Sequence, residues 1–318
     1  MTSERYQINH QVVGIATFYK SQICEDLDKL DADVAIVGIP WDEGVGYMPG
    51  ARFGPRAIRE ASTRYGFNDR GNRTSGYWDV DEERRFLSDV RIVDCGDVDT
   101  LYTDFSYTNS SITETIKKIL AAGALPAVIG GNHSTTPAVV AAFEALGPID
   151  VVHIDAHIDY RDSVMSVHYF GGSPMRRVSE LQFVRHIAQL GLRGWGTREE
   201  DYKDSLARGN RIITARQIKG WGTKRTLEEI PKMDRVFVSL DFDVFDPAVV
   251  SGVGSPTPGG LNYDQVKDLL VGIARQSEIV GYDLVEVNPL VDRTGNSAVT
   301  AAWLNLEFLG AIFDRDHQ

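Results

Sequence analysis

Three short stretches of this 318-residue chain concentrate side chains of the kind that hold metal ions. They are Gly130-Gly131-Asn132-His133-Ser134, His153-Ile154-Asp155-Ala156-His157-Ile158-Asp159, and Ser239-Leu240-Asp241-Phe242-Asp243 running on to Asp246-Pro247. Each begins where an apolar, β-branched run ends. In an extended chain, residues two apart share a face, so Asp155, His157 and Asp159 point the same way, as do Asp241 and Asp243. In open parallel sheets, ligands bind beyond the carboxyl ends of the strands, which would bring the three clusters to one crevice. Four buried carboxylates without counter-charge would repel one another and take up protons. Two divalent cations remove that conflict, and mixed oxygen and nitrogen donors suit Mn, Zn, Ni or Fe better than Mg alone. Two such ions about 3.5–4 Å apart can activate a shared water at neutral pH. A lone Asp-x-Asp is usually a turn or a cap, and a lone Gly-Gly a turn, but three strand ends collecting acids and histidines together point to a metal site. His153 shares the face of Asp155 yet lies further back in the strand, and reads as a core or supporting histidine.

The elements that must position these residues are strands alternating with helices. Strand runs are read at 34–39, 127–129, 151–154, 235–240 and 279–287, with weaker ones at 91–93 and 211–213. Helical patterns fall at 111–122, 136–146, 226–230 and 263–274. Continuous apolar strands separated by helices predict βαβ units and a parallel sheet buried on both faces. No linker or repeat divides the chain, so 1–318 reads as one α/β domain, with the first ~30 residues an extended arm or an oligomer contact. The polar stretch 65–86, rich in Gly, Asn and Arg, reads as a long excursion.

Lys and Arg number 33 against 45 Asp and Glu, a net charge of −12 that argues against wrapping nucleic acid. The opening residues lack the apolar core of a signal peptide, and no run approaches the roughly 18 apolar residues of a membrane helix. Cys24 and Cys95 are too few for a disulfide framework and read as reduced thiols, so a cytoplasmic protein is expected.

At these clusters the sequence resembles the ureohydrolase family of arginases and agmatinases, on its agmatinase-like branch. The likeness also runs through Gly38-Ile39-Pro40-Trp41-Asp42, through Pro49-Gly50-Ala51-Arg52-Phe53-Gly54-Pro55, through Gly252-Val253-Gly254-Ser255-Pro256, and through Asp283-Leu284-Val285-Glu286-Val287-Asn288-Pro289 with Asp292. The resemblance implies a three-layer αβα sandwich around a mostly parallel sheet of about eight strands, assembled as a trimer or hexamer. It implies two metal ions, Mn2+ by default with Ni2+ as the other candidate, that activate water for attack on a small cationic guanidino compound, releasing urea and an amine. Carried over by position, His133, Asp155, Asp159 and Asp241 hold one ion, and Asp155, His157, Asp241 and Asp243 the other. Glu286 matches the carboxylate that receives the guanidinium, a planar two-point pairing; Asp159 joins it as a candidate for proton handling.

Two departures stand out, the first tuning the metals by the loss of one negative charge and the second bearing on substrate. Asn132 stands where the family commonly has Asp. Gly171, in His168-Tyr169-Phe170-Gly171-Gly172-Ser173-Pro174, stands where the agmatinase branch has a histidine that binds substrate and moves protons. His168 either reaches the site in its place or is a surface histidine. A missing imidazole leaves room for a bulkier substrate. Trp41, Tyr47, Tyr169 and Phe170 are read either as lining a pocket or as packing. Agmatine is the default substrate, with free or substituted guanidine, a biguanide or a guanidino acid as alternatives. A guanidino acid would want a base such as Arg161 or Arg176, and agmatine an acid such as Glu43 or Asp162. The competing readings are a weakly catalytic subunit that supports an active homologue, and an amide hydrolase on a related deacetylase fold.

Overall fold

A computed structural model describes residues 12–65 and 76–314. Its strands, in chain order, are β1 (Gln22–Ile23), β2 (Val34–Gly38), β3 (Tyr77–Asp79), β4 (Arg84–Phe86), β5 (Ile92–Asp97), β6 (Leu125–Ile129), β7 (Ile149–Ile154), β8 (Val184–Leu192), β9 (Arg211–Thr214), β10 (Arg235–Asp241) and β11 (Glu278–Val285). The helices are α1 (Gly54–Ser62), α2 (Phe105–Ala121), α3 (Thr136–Ala141), α4 (Pro174–Ser179), α5 (Glu199–Ala207), α6 (Ala215–Glu228), α7 (Tyr263–Gln276) and α8 (Asn296–Ile312).

Nine strands form one sheet in the order β1-β5-β2-β6-β11-β10-β7-β8-β9, and every pairing in it is parallel. The expected eight-stranded sheet is present, with the two-residue β1 added at one edge. Side chains alternate across it. In β2, Val34 and Ile36 pack into one apolar cluster with Ile58 of α1, Val266 of α7 and Phe308 of α8. Ala35 and Val37 pack into the other, with Ile112 and Ile116 of α2, Val139 of α3 and Val178 of α4. Burying both faces is what makes parallel strands read as unbroken apolar runs. The three-layer αβα architecture is therefore as expected.

Several elements escaped the sequence reading, α1, α4, α5 and the hairpin strands among them, and β8 and α8 did so for opposite reasons. In β8, Arg185, His186 and Gln189 interrupt the apolar run, although most of the strand is buried. In α8 the residues are apolar on all sides, so no helical stripe marks it; the helix is sandwiched in the core instead. The helix read at 226–230 is the last turn of α6, whose capping box joins Thr214 and Gln217 and whose Gly222, at φ 77, breaks the pattern. Of the excursion at 65–86, residues 66–75 lie outside the described residues, as do 1–11 of the expected arm. The excursion ends in the antiparallel hairpin β3–β4. No helix among the described residues is long and apolar enough to cross a membrane.

Candidate metal centre and cleft

The loops that follow β6, β7 and β10 bring the three clusters together at the carboxyl end of the sheet. Next to the β6 loop, β2 turns so closely that a Cβ on Gly131 would lie 1.8 Å from the Trp41 carbonyl oxygen, so only glycine fits. That approach presents Asn132 and His133 inward. Asn132 donates from Nδ2 to Glu43 O at 3.2 Å and accepts from Ser134 Oγ at 2.7 Å. An aspartate there would lack the donor, so the amide ties the ligand loop to the cleft rim.

His133 Nδ1 faces Asp155 Oδ2 at 3.2 Å, Asp159 Oδ2 at 3.1 Å and Asp241 Oδ2 at 3.2 Å. Its other nitrogen, Nε2, lies 2.9 Å from Ser239 Oγ. Donation there leaves the Nδ1 lone pair facing three carboxylate oxygens, and Nδ1 is buried with no hydrogen bond. A lone pair ringed by carboxylate oxygens is a donor set for a cation. Beside it, His157 Nδ1 lies 2.9 Å from Asp243 Oδ2 and 3.6 Å from Asp155 Oδ1. Asp155 thus belongs to both groups of donors, and the residues present fit two ions sharing a ligand. Asp159 and Glu286 hold positive φ values of 49° and 68°, a strained backbone that aims both carboxylates at the cluster.

Supporting contacts fix the donors. His153, fully buried, places Nε2 2.7 Å from Asp155 Oδ2, while Gln189 of β8 stands 3.2 Å from its Nδ1. His153 thus sits within reach of the same donors as His133, Asp155 and Asp159. Thr257 Oγ1 meets His157 Nε2 at 3.2 Å. Ser239, Gln189 and Thr257 were not singled out from sequence. Ser239 had a signal, since it lies two residues before Asp241 on the same face of β10.

Protein groups alone leave this cluster electrostatically unbalanced. Burial, then the charges of Asp243 and Asp155, holds Asp241 well above the usual carboxylate range. Burial and Asp155 raise Asp243 as well. Glu286 is pushed up to about 8, first by burial. Burial acts upward on Asp155 too, but the neighbouring His153, His133 and His157 outweigh it and hold that carboxyl well below its ordinary range. Burial would lower His157, yet Asp243 and Asp155 push it up to about 12. Divalent cations would take over the work these protons do.

A cleft of about 280 Å³ opens over the cluster, with Asp159, Asp241, Asp243, His157 and Glu286 in its wall. Glu286 is held from behind, its Oε1 accepting the His133 N–H at 2.9 Å. Gly171 also lines the cleft, and a Cβ there would meet only the Gly44 carbonyl oxygen, at 3.8 Å. The missing imidazole therefore does leave space. Phe170 is in the wall too.

Four of the aromatic and histidine candidates named from sequence do not line the cleft. Trp41 is buried beneath the rim, stacked on Tyr102 at 5.9 Å. Tyr169 turns outward and packs on Phe105 at 5.1 Å. His168 is exposed, with Nδ1 3.2 Å from Asp162 O and beside Arg177, outside the wall of the cleft. Their aromatic or basic character alone suggested the cleft; backbone direction decides otherwise. Tyr47 is likewise exposed and outside the wall.

Of the four charged candidates for a substrate tail, only Arg161 lines the cleft. Its Nε is buried without a hydrogen-bond partner. Glu43 pairs with Arg52 at 2.6 Å, Asp162 with Arg177 at 2.6 Å, and Arg176 with Glu180 at 3.2 Å. The other arginine in the wall, Arg198, pairs with Asp201.

The chain as a whole is similar to known proteins. The chain is similar to the mitochondrial guanidino acid hydrolase of Homo sapiens, 31% identical over 94% of this chain and 83% of that one. It is similar to the mitochondrial agmatinase of Gallus gallus, 33% identical over 93% of this chain and 85% of that one. In structure it superposes on the proclavaminate amidino hydrolase of Streptomyces clavuligerus with a TM-score of 0.81 and 30% identity, covering 98% of this chain and 99% of that one. The model of the arginase family matches residues 32–310, a span that takes in every strand of the sheet but β1 and every donor of the cluster, and to that family the chain belongs.

Proposed function

We propose that the protein hydrolyses a small guanidino compound bearing an anionic tail, releasing urea and an amine. One observation carries the reading: donors from three strand ends meet around Asp155, and the cleft above them also holds Glu286 and the unpartnered Arg161. His133, Asp155, Asp159 and Asp241 would hold one divalent ion, and Asp155, His157, Asp241 and Asp243 the other. Bound there, such ions supply charge neutralisation and a water acidic enough to be a nucleophile at neutral pH.

The remaining work falls to the chain itself. Glu286, anchored through Oε1, offers its carboxylate to the guanidinium in a planar pairing that fixes the central carbon over the cluster. Asp159 borders both the cluster and the cleft, so its carboxyl can pass a proton to the departing amine nitrogen. Arg161 receives the carboxylate at the far end of the substrate. That favours a guanidino acid over agmatine, the default by resemblance, because the acids that would hold an amine tail are already paired. The metal is read as manganese, with nickel as the alternative, and the chain as one ureohydrolase domain in a cytoplasmic homo-oligomer.

The test is urea release from protein loaded separately with Mn2+ and Ni2+, over guanidinobutyrate, guanidinopropionate, agmatine, guanidine and a biguanide. Guanidino acids should turn over fastest, and Arg161→Ala should raise their KM at least tenfold while leaving that of guanidine unchanged. Preference for agmatine would overturn the tail assignment. Silence across the panel with both metals bound would favour the supporting-subunit reading instead.

A further inference from the structure

The chain has only two cysteines, 71 positions apart in sequence, and the fold sets them side by side. β1 runs parallel to β5 with Gln22 opposite Val93 and Ile23 opposite Asp94. The next step of that register places Cys24 opposite Cys95, and Cys24 N–H extends the ladder by donating to Asp94 O at 2.9 Å. Residues paired in register leave their strands on the same face. Neighbouring strands lie about 4.8 Å apart, inside the Cα separation of about 4.4–6.8 Å that a disulfide spans. Both thiols pack against the same apolar cluster, and both residues are partly exposed at the sheet edge. The two side chains are close enough to affect each other: burial first, and then Cys24, pushes the Cys95 thiol up to about 12.

We propose that Cys24 and Cys95 form a reversible disulfide modification site that takes oxidising equivalents from a hydroperoxide. Cys24, at the outer edge, attacks the peroxide oxygen as its thiolate; the O–O bond breaks, water leaves, and Cys24 becomes a sulfenic acid. Cys95 then attacks the Cys24 sulfur, its proton departing with the displaced hydroxide as a second water. Two thiols and one hydrogen peroxide thus yield one disulfide and two waters, the sulfurs losing two electrons that the peroxide gains. The new bond ties β1 to β5 and closes a loop containing β2 and α1, so β1 can no longer peel from the sheet edge. A thiol reductant reverses it.

The test treats the full, metal-loaded protein with hydrogen peroxide, blocks remaining thiols with N-ethylmaleimide, and maps the digest by mass spectrometry. A peptide linking 24 to 95, lighter than its two reduced parts by about 2 Da, is expected, together with a higher Tm that dithiothreitol reverses. Cys95→Ser should stop at a dimedone-reactive sulfenic acid on Cys24, and Cys24→Ser should leave Cys95 unoxidised. Alkylation of both cysteines after peroxide, or a link formed between molecules, would overturn the proposal. The wild-type map decides even if a variant folds poorly.

Discussion

Asp155 sits where two sets of donors meet, with Oδ2 3.2 Å from His133 Nδ1 and Oδ1 3.6 Å from His157 Nδ1. Removing that one side chain takes a ligand from each ion. Asp155→Ala should therefore abolish metal binding at both positions, whereas Glu286→Gln should keep both metals and lose turnover at least a hundredfold. Metal content per chain, read by elemental analysis beside urea release, separates the two; full activity of Asp155→Ala would refute the shared-ligand arrangement. At this scale the donors were legible because residue type and spacing of two suffice to put carboxylates and imidazoles on one face of a strand. The cleft wall was not. Trp41 and Tyr169 have suitable side chains on backbone that points elsewhere, and direction in a loop follows from turns that one sequence does not display.

Between elements, α1 is fastened to β5 by Arg59, whose Nε donates to Asp94 Oδ2 at 2.8 Å and whose Nη1 donates to Asp97 Oδ1 at 2.5 Å. Arg59 and Asp94 are both buried, at 8% and 2% exposure. Deleting the guanidinium would leave Asp94 charged in the core with only the Phe18 and Gly96 N–H groups facing it, which costs up to about 3–5 kcal/mol. Arg59→Ala should lower the urea midpoint accordingly, and Arg59→Lys should recover only part of it, since one ammonium cannot span both carboxylates. A loss under about 1 kcal/mol would mean that water reaches Asp94 and replaces the arginine. The legibility of elements followed their burial. β2, β7 and β10 are buried along nearly their whole length around the apolar runs 34–37, 151–152 and 236–238, and were read directly. β8 hid because Gln189 is spent on holding His153, so the polar residue that obscures the strand is part of what orients the centre.

Taken whole, the molecule gathers its densest cluster of buried acids and histidines at the carboxyl end of the sheet, and this shapes how its stability answers to pH. Glu286 has an ordinary value of 4.5 and about 8 in the fold. Across that interval the folded chain keeps a proton that the unfolded chain has released, so stability falls as pH rises through it. His157, moved from 6.5 to about 12, adds loss of the same sign above neutrality. Asp155, shifted downward, acts the opposite way only below the ordinary Asp value of 3.8. Metal-stripped protein should therefore melt at a lower temperature at about pH 9 than at about pH 6, and one fixed Mn2+ concentration should give the larger Tm gain at the higher pH, about 2.7 kcal/mol per site where it stands at a hundred times Kd. Differential scanning calorimetry with and without chelator checks this; a flat Tm in stripped protein would remove the buried charge from the account. The three layers themselves were visible from the alternation of strands and helices, while α8, apolar on every side, carried no signal of where it sits. A last consequence lies in the strand register. Ser239 opposes His153, Leu240 opposes both Ile154 and Leu284, and Leu284 opposes Ile129. A slip of one residue at any of these pairings would turn a donor toward the opposite helical layer. An ion held by these donors would thus work as an inspector of assembly: it would engage chains whose central strands have settled correctly and pass over the rest, so metal uptake during refolding should count well-built molecules.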